Sequence, residues 1–378
     1  MDVQQHLLGK RPTWAEIRLN NLDSNLRSLR TLLGPEVRIM AVVKANAYGH
    51  GAGPIAERLE KIGVEHLAVA ILEEALELRQ RRVQCPILLL NGFWPGQEKD
   101  IVLNRLTPAI FHVGMVQDLA RGADRLKSAA GYQIKIDTGL SRLGIDWQRA
   151  EECLKAFPQT LSARCEGIYT HLSASEQVDS PSTEVQVGRF QSVVEIFQRD
   201  HPAPKWCHVA NSAAILNFRR SWFDTVRPGL ILYGINPLEQ SIPMSLKPLL
   251  TLKTRIMQLK SVGAGMSVGY GGAYTTARPS LIATLPVGYA DGLNRLLSNC
   301  GSVLVRGQMV PIVGRISMDV SLIDTTAVPG ASVGDEVVLI GSQGDLEISV
   351  QQIARLTGSI PYEVLCRIGQ RVPRIYLE

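Results

Sequence analysis

The 378-residue chain has little of what marks several classes of protein. Its six cysteines, Cys85, Cys153, Cys165, Cys207, Cys300 and Cys366, are scattered, and none stands in a C-x-x-C pair. Isolated thiols, most of them inside apolar runs, act as small hydrophobes. That argues against a disulfide scaffold or a cysteine-based metal site and suits a reducing cytoplasm. No apolar run reaches the length of a membrane span, and residues 1–8, MDVQQHLL, carry neither a long apolar segment nor a cleavage-site pattern. The reading is a soluble protein with no membrane partner. Basic residues exceed acidic ones by only five, and they are not gathered into blocks, so a nucleic-acid partner is not expected. No G-x-G-x-x-G follows any apolar run, which weakens a dinucleotide-binding reading.

What is present is length and a repeating texture. With 45% hydrophobic residues, the chain can bury a large core and form two domains. Trp14 to Leu19 alternates like a strand, and Asn20 or Asn21 then caps a helix with Leu22, Leu26, Leu29 and Leu33 on one face. Eight apolar runs follow, at 38–44, 66–70, 86–91, 106–111, 132–137, 166–171, 206–210 and 224–227, with helical patterns between most of them. Eight β–α units predict a (β/α)8 TIM barrel over residues 14–240, with a doubly wound open sheet as the alternative. After a proline-rich linker near 237–248 come short strands with turn glycines, and only 350–356 looks helical. This predicts a smaller, mainly-β domain over 241–378, joined by residues 1–13.

Chemistry-bearing residues fall at the C-terminal ends of the predicted barrel strands, where barrel active sites are built. Lys44 ends the first strand, in MAVVKANAYGHG from Met40 to Gly51. Asp137 ends the fifth with Arg142 just beyond, His171 the sixth, Asn211 and Ser212 the seventh, and Arg227 the eighth. A lysine walled by apolar neighbours loses its proton more readily, and a neutral amine condenses with an aldehyde to a Schiff base. The plain alternative is a lysine that merely ends a strand. Tyr48 offers a phenol for a phosphate oxygen, and the glycines after it let backbone approach a ligand. Ser212 at a helix start is either a phosphate cradle or part of an ordinary N-cap. His171 by itself reads as a core histidine and Arg142 as a loop arginine paired with an acid. His201 and His208 lack ligand-like company, and no metal is expected.

The run at Lys44 resembles the pyridoxal-phosphate lysine motif of alanine racemases, and the resemblance spans all but the first dozen residues. It is carried further by KIDTGLSRLG (135–144), YTHL (169–172), HVANSA (208–213), VRPGLILYG (226–234), VGYGGAY (268–274), VGYADG (287–292), VGRISMD (313–319), PYEVLC (361–366) and RVPR (371–374). It implies a pyridoxal-phosphate-dependent isomerase that interconverts L- and D-alanine for peptidoglycan, with Lys44 as cofactor lysine and one catalytic base. Tyr270 is then the second base. Tyr48, Asn211, Ser212, Gly229, Leu230 and Tyr362 would hold the cofactor, and His171 would bond both Tyr270 and Arg227. Arg227 would face the pyridine nitrogen. Since a guanidinium only donates, the ring would remain a weak electron sink, favouring racemisation over transamination. Arg142 and the backbone of Met318 would orient the substrate carboxylate, with Tyr289 at the entrance and a carbamate on Lys135. The resemblance also implies a homodimer whose sites are shared, each subunit lending Tyr270 and Met318 to its partner. Gly269, Ser317 and Val320 depart from the usual pattern, which leaves open a racemase of the same fold acting on serine, lysine or several amino acids. A decarboxylase relative lacks its glycine-rich phosphate loop here, and a non-catalytic cofactor carrier would not need the second domain.

Overall fold

The computed structural model describes residues 9–157, 162–200 and 202–378. Eight parallel strands, Arg38–Val42, His66–Val69, Ile87–Leu89, Leu106–Ile110, Ala130–Asp137, Ala163–Tyr169, Trp206–Asn211 and Thr225–Arg227, each pair with the next. The last returns to the first, with Val226 opposite Ile39, so the sheet is a closed barrel and not an open doubly wound sheet. Strands such as Ile87–Leu89 are buried at every position, as expected where helices cover the outside and side chains fill the inside. The covering helices are amphipathic. In Leu19–Leu33 the buried positions Leu22, Leu26, Leu29 and Leu33 recur at helical spacing. Truncating one of them to alanine is expected to cost about 2–5 kcal/mol.

Neither Asn20 nor Asn21 caps that helix. It begins at Leu19 directly after extended Arg18, with no side-chain cap. Asn21 instead donates to the Pro248 carbonyl at 2.7 Å, and Asn20 accepts from Arg58 at 3.0 Å, tying the helix to its neighbours. The strand expected at 14–19 exists as Thr13–Arg18, but it is not part of the barrel. It runs antiparallel to Leu250–Arg255 and parallel to Arg374–Leu377, inside the second domain's sheet. The expected barrel start at residue 14 therefore moves to the helix at Leu19. Alternation reports that a strand has one buried face; it does not report the partner. Residues 1–8 of the expected N-terminal addition lie outside the described residues.

The second domain is built on a sheet in the order Gln308–Pro311, Ser302–Val305, Glu336–Gln343, Leu250–Arg255, Thr13–Arg18, Arg374–Leu377, with Leu346–Ile348 paired to Glu336–Gln343. A three-stranded sheet, Gln258–Val262, Ser280–Leu285 and Ser321–Asp324, stands beside it. Leu250–Arg255 and Gln258–Val262 are separate strands, broken where Ile256 and Met257 bond to Asp335 and Thr284 instead. A second helix, Pro361–Cys366, joins Val350–Leu356, with proline at its first position where no N–H is needed.

Candidate active site

The turn that follows Lys44 is left-handed helix. Ala45, Asn46, Ala47 and Tyr48 have φ of 51°, 54°, 52° and 51°. Each such non-glycine residue costs roughly 1–2 kcal/mol against the right-handed form, so the turn needs support from outside itself. Its own ladder supplies part: Ala47 N–H donates to Val43 O at 2.9 Å and Gly49 N–H to Ala45 O at 3.0 Å. Glu74 accepts from Ala45 N–H at 2.6 Å and, with its other oxygen, from Ala70 N–H at 2.7 Å. Asn46 Oδ1 accepts from Ala52 N–H at 2.7 Å and so starts the next helix. His50 Nδ1 lies 3.0 Å from the carbonyls of both Ala47 and Tyr48, so that nitrogen carries the proton. Gly49 is needed where it stands, since a Cβ there would fall 2.3 Å from Leu365 O.

Lys44 opens onto a cavity of about 220 Å³ at the C-terminal mouth of the barrel. Tyr48, Lys135, Arg142, His171, Asn211, Ser212, Arg227, Gly229 and Tyr362 line it too, drawn from five strand ends and the helix Pro361–Cys366. Burial, then the nearby Arg142, lowers the Lys44 amine from its ordinary range. Lys135 is lowered to about 8 by burial and by Arg142, Arg227 and Lys44, and its Nζ donates to Leu90 O at 3.5 Å. Asp137 accepts from the N–H groups of Gly139, Leu140 and Ser141, shaping the loop that presents Arg142.

Arg227 is buried, and both of its terminal nitrogens are engaged. It donates to the carbonyls of Thr170 at 2.8 Å, Val209 at 2.9 Å and His208 at 3.1 Å. It also meets Nδ1 of His208 at 2.6 Å and Nδ1 of His171 at 3.3 Å. A guanidinium cannot accept, so both Nδ1 atoms must, and both imidazoles are neutral with hydrogen on Nε2. His208 Nε2–H then donates to Gln133 Oε1 at 2.6 Å. Burial first, and Arg227 second, hold both histidines well below their ordinary range. The sequence reading assigned His208 no role. Its inward position two residues into a barrel strand reads as core, and only the fold brings Arg227 against it. His201 lies outside the described residues.

Asn211 is an ordinary N-cap, accepting from Ala214 N–H at 3.0 Å. Ser212 Oγ accepts from Gly229 N–H at 2.8 Å, and a Cβ on Gly229 would fall 2.6 Å from the Tyr48 hydroxyl. Ser212, Gly229 and Tyr48 thus border a recess that no side chain at 229 could share, and Leu230 follows, buried behind it. The ring of Tyr48 rests between those of Tyr233 and Tyr362, 5.1 Å and 5.6 Å away.

The chain matches two family models described as the N-terminal and C-terminal domains of alanine racemase, over residues 17–237 and 249–376. It is 43% identical over 367 residues to the alanine racemase of Halothermothrix orenii, covering 97% of each chain. The alanine racemase of Clostridium difficile 630 superposes with a TM-score of 0.93 at 36% identity, over 97% of this chain and 96% of that one. That of Bartonella henselae, described with covalently bound pyridoxal phosphate, does so at 0.87 and 34%, over 97% and 99%. The chain belongs to the alanine racemase family.

The residues foreseen in the barrel converge at the barrel mouth, except Leu230, which is buried behind the recess, and Tyr362 of the second domain joins them. Three others stay away. Tyr270, Tyr289 and Met318 lie in the second domain, are 72%, 43% and 52% exposed, and do not line the cavity. Tyr169, Glu176, Leu90, Asn91 and Val42 line it without having been foreseen. Tyr169 stands opposite Lys135 across the strand pair, and its ring stacks on His208 at 4.7 Å, contacts that only the fold makes.

Proposed function

We propose that the protein interconverts L- and D-alanine with pyridoxal 5'-phosphate held at the barrel mouth and two bases drawn from two subunits of a homodimer. The residues present suit that cofactor. The recess bordered by Ser212, Gly229 and Tyr48 takes a phosphate, and Lys44 supplies a lowered amine for the aldehyde. Arg227, locked by its five contacts, can only donate towards a ring nitrogen. Pyridoxal phosphate, when bound, supplies the electron withdrawal that acidifies the α-hydrogen of an attached amino acid.

This chain's residues do the rest. The lowered amine of Lys44 removes or returns the α-proton on one face. Arg142, presented by the loop that Asp137 shapes, pairs with the substrate carboxylate. An amine at about 8 is substantially neutral near pH 8, the form in which Lys135 adds carbon dioxide to give a carbamate and release a proton. The resulting anion would sit among Arg142, Arg227 and Lys44 and offset their mutual repulsion. The second face needs its own base, and the cavity offers no tyrosine placed opposite Lys44 by the second domain's glycine-rich turn. The observation that carries the shared-site reading is the exposure of Tyr270, Tyr289 and Met318 together. Three large side chains of one domain face solvent in the single chain, as they would if a two-fold partner received them. The six free cysteines suit a reducing cytoplasm.

The test is a chiral assay of the purified protein supplied with pyridoxal phosphate. L-alanine should yield D-alanine and the reverse, Lys44→Ala should abolish both, and Tyr270→Phe should do the same while cofactor absorbance is retained. Failure of the loaded wild-type protein to racemise alanine in either direction overturns the reading.

A further inference from the structure

The last strand of the chain touches two places that belong to different halves of the chemistry. Arg374 Nε donates to Gly49 O at 3.0 Å, at the end of the left-handed turn that carries Lys44, and the rest of its guanidinium gathers the carbonyls of Ile368, Gly369 and Val372 at 2.6–2.7 Å. Two residues on, the Tyr376 hydroxyl donates to His50 O at 3.2 Å. Its oxygen also occupies the space a Cβ on Gly51 would need. Arg374 and Tyr376 therefore hold the carbonyls of a backbone turn whose conformation is costly by itself.

Arg371, three residues earlier, faces the opposite way. Its Nη2 lies 2.7 Å from Asp319 and its Nε 3.3 Å from Asp291. Asp291 is fully buried, takes both nitrogens of Arg11 at 2.6–2.7 Å and accepts from Gly288 N–H at 3.0 Å. The two loops so joined are those of Tyr289 and Met318. They are also bonded directly, Tyr289 N–H to Ser317 O at 3.0 Å and Ala290 N–H to Met318 O at 3.1 Å. A Cβ on Gly288 would strike Met318 O at 2.3 Å, so the loops are in backbone contact.

We propose that residues 371–376 act as a strap with two separate positioning roles. Arg374 and Tyr376 fix the Lys44 turn of their own subunit, while Arg371, through Asp291 and Asp319, fixes the pair of loops that the subunit lends to its partner. This rests on the shared-site reading above. A single six-residue stretch, 371–376, then serves two active sites at once, its own and the partner's.

The two roles separate in heterodimers purified with two different affinity tags. One subunit carries Lys44→Ala and the other Tyr270→Phe, so the only complete site combines Lys44 of the second with the loops of the first. Arg371→Ala should raise the KM for alanine several-fold, with a smaller change in kcat, only when placed in the Lys44→Ala subunit. Arg374→Met should weaken pyridoxal phosphate binding, read from cofactor absorbance in titration, only when placed in the Tyr270→Phe subunit. Asp319→Asn and Tyr376→Phe remove one contact each and repeat the two arms should the arginine variants fail to fold. If a substitution acts equally from either subunit, the residue is a general structural tie and the proposal is wrong. An inactive parent heterodimer would instead remove the shared site, and this inference with it.

Discussion

His66→Phe isolates the energetic cost of a buried histidine. His66 begins the second barrel strand, is fully buried and sets its edge against Trp206, ring centroids 4.9 Å apart at 90°. Among the described residues neither of its ring nitrogens has a hydrogen-bond partner. Burial, together with Lys205, Arg79 and Arg38, pushes it down to about 3, against an ordinary value near 6.5. Between those values the unfolded chain binds a proton that the folded chain refuses. Stability is therefore complete above pH 6.5 and falls as the pH drops, by about 1.4 kcal/mol per unit, or about 2 kcal/mol by pH 5. His50, pushed down to about 4 by burial, adds a loss of similar size, so the pair removes about 4 kcal/mol between pH 8 and pH 5. Phenylalanine keeps the edge contact and deletes two unsatisfied nitrogens. The variant should match or exceed wild-type stability at pH 8 and lose about 2 kcal/mol less than wild type by pH 5. Urea unfolding of the cofactor-free protein at the two pH values, at constant ionic strength, reads the difference. An identical loss in both proteins would refute the assignment of that proton to His66.

Gly229→Ala places a methyl group against the Tyr48 hydroxyl, so pyridoxal phosphate should bind at least tenfold more weakly, a change of about 1.4 kcal/mol read by absorbance titration. Gly49→Ala meets a carbonyl oxygen at 2.3 Å in a left-handed conformation, and should lower stability by more than the roughly 1–2 kcal/mol of the conformation alone, seen as a fall in melting temperature. Borohydride reduction of the loaded protein followed by peptide mapping should label Lys44, and label on another lysine would contradict the site. Alanine should exceed serine and far exceed lysine in kcat/KM, because an added methylene in a small pocket is worth only about 1–3 kcal/mol but lysine adds several atoms, one of them charged. Equal turnover of lysine would make this a broad-specificity racemase.

The barrel was legible because each strand lies between two buried faces and so reads as an apolar run, while each helix carries a single stripe. Count and order left an open doubly wound sheet as the alternative, and closure is seen only where Val226 pairs with Ile39. The strand Thr13–Arg18 was legible as a strand but not as a member of the second domain, since its partners lie more than 230 residues away in the chain. The same division holds at the site. Lys44 and Ser212 stand in runs whose local chemistry admits a ligand, while Arg142 and Gly229 were reached through the family resemblance. The left-handed turn has no such signal, because Ala45, Asn46, Ala47 and Tyr48 include no glycine, and their conformation is imposed by Glu74, His50 and a strand at the far end of the chain.

Arg227 joins both kinds of information. Its identity establishes that it donates and never accepts, which suffices to argue for a weak electron sink. Its surroundings decide how firmly that holds. A lone guanidinium could swing away or draw in a carboxylate. Here three carbonyls and two neutral imidazoles engage both of its terminal nitrogens, and His208 donates its own Nε2–H to Gln133. Protonating His208 would leave two donors facing each other at 2.6 Å, so the network excludes that state as long as Arg227 remains in place. The polarity of the site at that point is therefore fixed by a chain of donors and acceptors running from the barrel interior to its mouth. Gln133 and His208 are positioning residues in that chain, invisible to a motif because each is recognisable only through the next.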